Sequence, residues 1–232
     1  MAEDTIPRRD FLTGAGAAGA GAAALTGGVP PADAAEPANA PVETWLVLTA
    51  DEVAFFSAIA DTMIPADALS PSGSECGVPV FIDRQLASAW GAGAKMYRAG
   101  PFHAGAPEQG YQLPLTPREF FAAGIAAANE WSRKTGGKDF DQLSAPERVA
   151  ALKAMEAGKA EFNGVPSRMF FNALLSLAME GMFAAPMYGG NRDKVGWKML
   201  GYPGLPATYA DKIDEWRNKR YVAPPQSIAD FS

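Results

Sequence analysis

Residues 167 to 183 read Ser167-Arg168-Met169-Phe170-Phe171-Asn172-Ala173-Leu174-Leu175-Ser176-Leu177-Ala178-Met179-Glu180-Gly181-Met182-Phe183, with apolar side chains nearly all the way around a helical turn. A surface helix keeps one polar face, so this run reads as a central helix surrounded by protein. Val165-Pro166 stands before it and Pro186 closes it, because proline has no N–H with which to continue the ladder. The remaining elements must therefore supply the cover.

They read as helices too. Thr49-Ala50-Asp51-Glu52, Thr116-Pro117-Arg118-Glu119 and Ser144-Ala145-Pro146-Glu147 are capping boxes, in which a hydroxyl and a carboxylate three residues apart satisfy each other's backbone amides. Val53, Phe56, Ala60 and Met63 follow the first at helical spacing, widened by Phe55 and Ile59 and stopped by Pro65. Pro79 opens a second helix with Phe81, Ile82, Leu86, Ala89 and Trp90 on its apolar side and Gly91 as its end. Phe121, Ile125, Ala128 and Trp131 continue the second box as far as Gly136-Gly137, and Val149, Leu152 and Met155 continue the last. Alternating strands are nowhere strong. The chain is expected to be mainly α, a compact helical domain with long Gly/Pro-rich loops. The Gly91 to Leu115 connection is long enough to suggest a loop that wraps a partner.

The N-terminus reads as an address. Pro7-Arg8-Arg9-Asp10-Phe11-Leu12 precedes an uncharged Ala/Gly/Leu run, and Ala32-Asp33-Ala34-Ala35 offers small residues for cleavage. A charged start, a short weak apolar core and such a site make a signal peptide. Arg8, Arg9, Phe11 and Leu12 resemble the twin-arginine type, which exports proteins already folded. The run is too short and glycine-rich for a membrane span. The expected organisation is a signal over 1–34, a linker and partner-contacting segment over 35–48, and a helical small-subunit domain over 49–232.

Composition narrows the chemistry. One Cys and one His in 232 residues leave no disulfide framework and no Cys-rich or multi-His metal site. A formal charge of −6 with scattered basic residues argues against nucleic acid as a partner. There is no Gly-x-Gly-x-x-Gly after a strand and no Walker loop, so a complex cofactor moving through a folded-export route would belong to a companion. Cys76 has three readings: buried thiol, intermolecular bridge or free thiol.

Several side chains invite a chemical role. Asp61 and Asp83 could divide acid and base work, but they fall on two different helices, where solvated or capping roles are commoner. His103 lies in the Gly/Pro loop with no visible orienting partner and reads as a surface residue. Met179, Met182 and Met187 read as core packing rather than copper or haem ligands.

The most distinctive stretch is Pro186 to Gly204, with five glycines and three aromatics in nineteen residues. Such density implies positive φ or close backbone approach, hence a fixed shape. Tyr188, Asn191, Asp193 and Trp197 could bind sugar, stabilise the loop itself, or dock it on another chain. The expected partner interface is Tyr188, Gly189, Gly190, Asn191, Arg192, Asp193, Trp197 and Tyr202.

Leu48-Thr49-Ala50-Asp51-Glu52 with Ile59 to Pro65, Gly77-Val78-Pro79-Val80-Phe81-Ile82-Asp83, and Glu180-Gly181-Met182-Phe183 leading into Pro186 to Gly204 together resemble the gluconate 2-dehydrogenase subunit 3 family. The resemblance covers about Leu46 to Gly204 and leaves the tail, with Trp216, Arg217 and Arg220, without a motif. It implies a non-catalytic small, or γ-type, subunit with no catalytic, cofactor-binding or metal-binding residues of its own. Its partners would be an FAD-containing dehydrogenase large subunit, a multihaem cytochrome c subunit carrying haem c, and the twin-arginine translocase. The complex would sit on the periplasmic face of the inner membrane, with membrane contact only through the complex. Gluconate, 2-ketogluconate, fructose, sorbitol and glucose stay open as its substrate. The rival reading is an independent exported helical sugar-binding protein or enzyme that uses the Gly/Asn/Trp loop.

Overall fold

Thr49 starts the first helix in the expected way: its hydroxyl accepts the Glu52 N–H at 3.3 Å, and Glu52 Oε2 accepts the Thr49 N–H at 2.8 Å. This helix, α1, spans Ala50–Met63 and ends at Ile64, just before Pro65. The computed structural model describes residues 43–231 apart from 104, 107, 108 and 207. The export signal read over 1–34, including Arg8, Arg9, Phe11 and Leu12, and the linker up to residue 42 lie outside the described residues.

Six further α-helices follow among the described residues: α2 Val78–Ala87, α3 Pro117–Gly136, α4 Ala145–Glu156, α5 Ser167–Phe183, α6 Val195–Leu200 and α7 Ile213–Trp216. No strand is among them, and the one isolated bridge joins Gly204 to Gln226. The described residues are thus mainly helical, as expected. The other two boxes also form: Glu119 Oε2 accepts the Thr116 N–H at 2.7 Å and Glu147 Oε2 the Ser144 N–H at 2.8 Å. Gly137, in the left-handed region at φ 74°, stops α3.

The core gathers around α5, which packs against α1, α2, α3, α4 and α6. Phe170 lies at its centre, with ring centroids 6.0 to 6.2 Å from those of Phe55, Phe120, Phe121 and Phe162. Tilted and edge-on pairs of this kind add to the burial of apolar area. The α3 backbone comes this close because position 124 is Gly: a Cβ there would lie 2.2 Å from the Phe170 ring.

Four expectations are corrected. The second helix ends at Ala87 rather than at Gly91, because the Ser88 hydroxyl donates to Gln85 O at 2.7 Å and Ser88 turns extended. A side chain that bonds its own backbone competes with the helical ladder. Ala89 and Trp90 therefore leave the apolar face, and both are exposed. The central helix is not covered on every side among the described residues: Leu175 and Met179 are exposed on α5. With Met187 also exposed, only Met182 of the three methionines is a core residue. Val149 is on the outer face of α4, whose buried side is Ala151, Leu152 and Met155.

Candidate functional site

The glycine-rich loop begins where α5 ends. Pro186–Tyr188 and Arg192–Lys194 are short 3-10 turns, and α6 follows directly. Gly190 allows the chain to lie against α5: a Cβ at that position would stand 2.1 Å from Gly181 O. No other residue fits so near a backbone. The next residue, Asn191, is fully buried. Its Nδ2 donates to Ala184 O at 2.9 Å and its Oδ1 accepts the Gly196 N–H at 2.8 Å. One side-chain amide thus ties the end of α5 to the start of α6.

Asn191, Asp193 and Lys194 have φ of 48°, 54° and 57°. Each non-glycine residue in the left-handed region costs about 1 kcal/mol and persists only where its surroundings over-determine it. Those surroundings come from distant parts of the chain. The Arg192 N–H donates to Cys76 O at 3.1 Å, its guanidinium pairs with Glu43, and Lys194 Nζ lies 2.7 Å from both carboxylate oxygens of Asp230. Trp197 Nε1 donates to Phe183 O at 2.8 Å, and its ring takes the edge of Tyr202 at 5.3 Å. The loop is a knot joining the segment that enters α1, the start of α2, the end of α5 and the tail.

The expected interface residues divide within this knot. Gly190, Asn191 and Trp197 are buried inside the chain, and Gly189 and Arg192 are half-buried. Tyr188, Asp193 and Tyr202 face outward, Tyr188 at 49% and Tyr202 at 47% exposure. Among the described residues no three His, Cys, Asp or Glu side chains cluster to hold a metal ion. Nor is any described helix long and apolar enough to cross a membrane.

Asp83 has a different role from either of those weighed for it. It is 1% exposed, in the middle of α2, and its carboxylate accepts three successive amides, Leu46 at 2.7 Å and Val47 and Leu48 at 3.0 Å each. A buried carboxylate is tolerated when its lone pairs are filled in this way. It clamps the segment that leads into α1, so the described end of the linker is held on the domain. Asp61 is turned elsewhere and accepts the Ser74 N–H at 2.8 Å. His103 is exposed, as expected. Cys76 is buried, with its thiol pKa pushed up by burial and by the nearby Glu75 and Asp61 carboxylates. A raised pKa and no access make it an inert thiol.

Two clefts lie end to end along α5. The first, about 330 Å³, runs between Met169, Ala173 and Ser176 of the helix and Trp90, Met96 and Tyr111 of the long loop. Tyr111 donates from its hydroxyl to Leu115 O at 2.8 Å, and burial, with Glu119 nearby, pushes its pKa up to about 12. The second, about 560 Å³ and more open, lies among Phe81, Gln85, Phe183 and Tyr188. Glu180 lines both. Its surface is open on one side, yet desolvation by the side chains beneath it raises its pKa. Sequence reading passed over Glu180 as one letter of a motif. The available signal was an acid on a helix otherwise apolar on nearly every face.

No match to the chain was found among curated proteins or solved structures. The sequence profile of the family described as gluconate 2-dehydrogenase subunit 3 matches residues 50–204, more than half of the chain. The match starts at the first residue of α1 and ends at the last glycine of the knot, so it spans the elements described above. The chain belongs to the gluconate 2-dehydrogenase subunit 3 family, whose members are subunits of multi-subunit gluconate dehydrogenase complexes.

Proposed function

We propose that this chain is the non-catalytic small subunit of a periplasm-facing, FAD-dependent, gluconate 2-dehydrogenase-like complex. It grips the FAD-bearing large subunit in the cytoplasm, assists its folding, and carries it through the twin-arginine route on the signal containing Arg8 and Arg9. A multihaem cytochrome c subunit completes the electron path and holds the assembly at the membrane. The family match carries this reading.

Two features of the domain support it. The knot holds Tyr188 and Tyr202 outward on a backbone fixed from several sides, and rigid aromatics are the side chains that most often dominate a protein interface. The described residues that line the two clefts also do not fit the flavin. A dinucleotide pyrophosphate calls for converging N–H or cationic donors, whereas the one charged side chain lining both clefts is the Glu180 carboxylate. FAD and haem c are therefore assigned to partner chains, and no step of the oxidation is assigned to residues here.

The test is to recover tagged full-length chain from the periplasm and record its absorbance spectrum, with an Arg8→Lys/Arg9→Lys double variant beside it. The expected result is a yellow, flavin-bearing large subunit recovered with the chain, both staying in the cytoplasm when the arginines are replaced. A colourless, solitary protein in the periplasm would overturn the proposal.

A further inference from the structure

The first cleft of the groove along α5 is lined by no residue of the knot. Met169, Ala173, Ser176 and Glu180 stand at spacings of four, three and four on one face of the helix, which puts them in a row. At 1.5 Å per residue this row is about 16 Å long, enough for roughly five residues of extended chain. The second cleft continues it past Glu180 toward Tyr188. Both walls are mainly apolar, and the first is formed by loop side chains, Trp90 and Tyr111, that remain part-exposed.

Glu180 stands where the two clefts meet. Its carboxylate has neither a hydrogen bond nor an ion pair among the described residues, although Arg and Lys side chains elsewhere on the surface find carboxylate partners. Covering it with purely apolar surface would leave a buried unpaired charge, which is strongly unfavourable. Whatever fills the groove must therefore satisfy this carboxylate, which a Lys or Arg does through charge and hydrogen bonds together. A small molecule is a poor fit, since such sites are concave and carry several convergent polar groups. A second copy seated groove to groove would place two unpaired glutamates against the same contact.

We propose that the α5 groove receives an apolar segment of the dehydrogenase large subunit whose Lys or Arg pairs with Glu180. This rests on the small-subunit reading above and adds a second contact to the outward residues of the knot. The pair would be desolvated on both sides by the cleft walls, where truncation of one member costs most.

The test uses the complex recovered through the tagged full-length chain, with Glu180→Gln and Glu180→Lys variants. A photo-crosslinking residue is placed at Ser176, and at the exposed Lys153 of α4 as control. Recovery of the large subunit per chain is expected to fall about tenfold for Glu180→Gln and further for Glu180→Lys. The Ser176 crosslink is expected to map by mass spectrometry to one large-subunit peptide containing Lys or Arg. Changing that residue to Glu should restore recovery with Glu180→Lys, which a folding defect would not allow. If the wild-type chain recovers no large subunit, the small-subunit reading falls and this proposal with it. If the wild type recovers it and Glu180→Lys recovers as much, the groove alone is overturned. A Ser176 crosslink to another copy of this chain, or to no peptide, also overturns it.

Discussion

Asp83 gathers three backbone amides from a segment more than thirty residues away, and no cation accompanies it among its hydrogen-bond partners. An amide in its place could accept with its oxygen but would turn a donor toward the same N–H groups. Asp83→Asn is therefore expected to lower stability by about 2 kcal/mol, the range for losing hydrogen bonds to a charged acceptor. Amide exchange at Leu46, Val47 and Leu48 should accelerate while that of α1 stays slow. Protection of those three amides in the variant would mean that the segment is held by something else. The residue type was visible in the sequence but its role was not, because an aspartate within an apolar stretch reads first as solvated or capping, and only then as catalytic. Asn191 is the same case: its glycine-rich context left sugar binding, stabilisation of the loop and docking on another chain open, and its side chain ties α5 to α6 inside the chain.

Helix starts were legible because a capping box is a local object, complete within four residues. Thr116 illustrates its worth. Its hydroxyl and N–H both donate to Glu119 Oε2, at 2.9 and 2.7 Å, and these bonds lower the Glu119 pKa. Thr116→Ala is expected to cost about 1 kcal/mol in urea denaturation, with Thr116→Ser retaining most of it. Equal stability of the alanine variant would remove the cap from the account of α3. Helix ends were less legible: α2 stops three residues before the glycine that was expected to stop it, at a serine whose hydroxyl takes a carbonyl of the last turn. The all-round apolar pattern of α5 identified the central helix correctly but could not reveal that one strip of it stays uncovered.

At the scale of the whole molecule, the knot is where the ends of the domain meet. Glu43 approaches it from one side through Arg192, and the tail from the other through Asp230 and Lys194. The Lys194 ammonium, with the Ser227 amide, lowers the Asp230 pKa from 3.8 to about 2. Because the folded value lies below the unfolded one, the docked tail is favoured in full above pH 3.8 and loses that contribution as pH falls through about 2. Proteolysis or amide exchange of residues 227–231 should therefore rise between those limits before the helices melt. Asp230→Asn should show the released tail already at neutral pH. A tail whose protection is unchanged across that interval would mean that the bridge between Gly204 and Gln226 holds it without the ion pair.

What the sequence by itself determined is the helical class, the starts of the helices with capping boxes, the central apolar run and the family, all of which rest on residues within a few positions of one another or on the order of motifs along the chain. The tertiary structure decided which members of those motifs turn inward. Asp83 meets Leu46 across 37 residues, and Asn191 and Trp197 are buried by α5 and its end. It also decided that Glu180 stands between two apolar clefts, unpaired among the described residues. Periodicity and capping depend on neighbours in sequence, while burial and the pairing of a charge depend on neighbours in space.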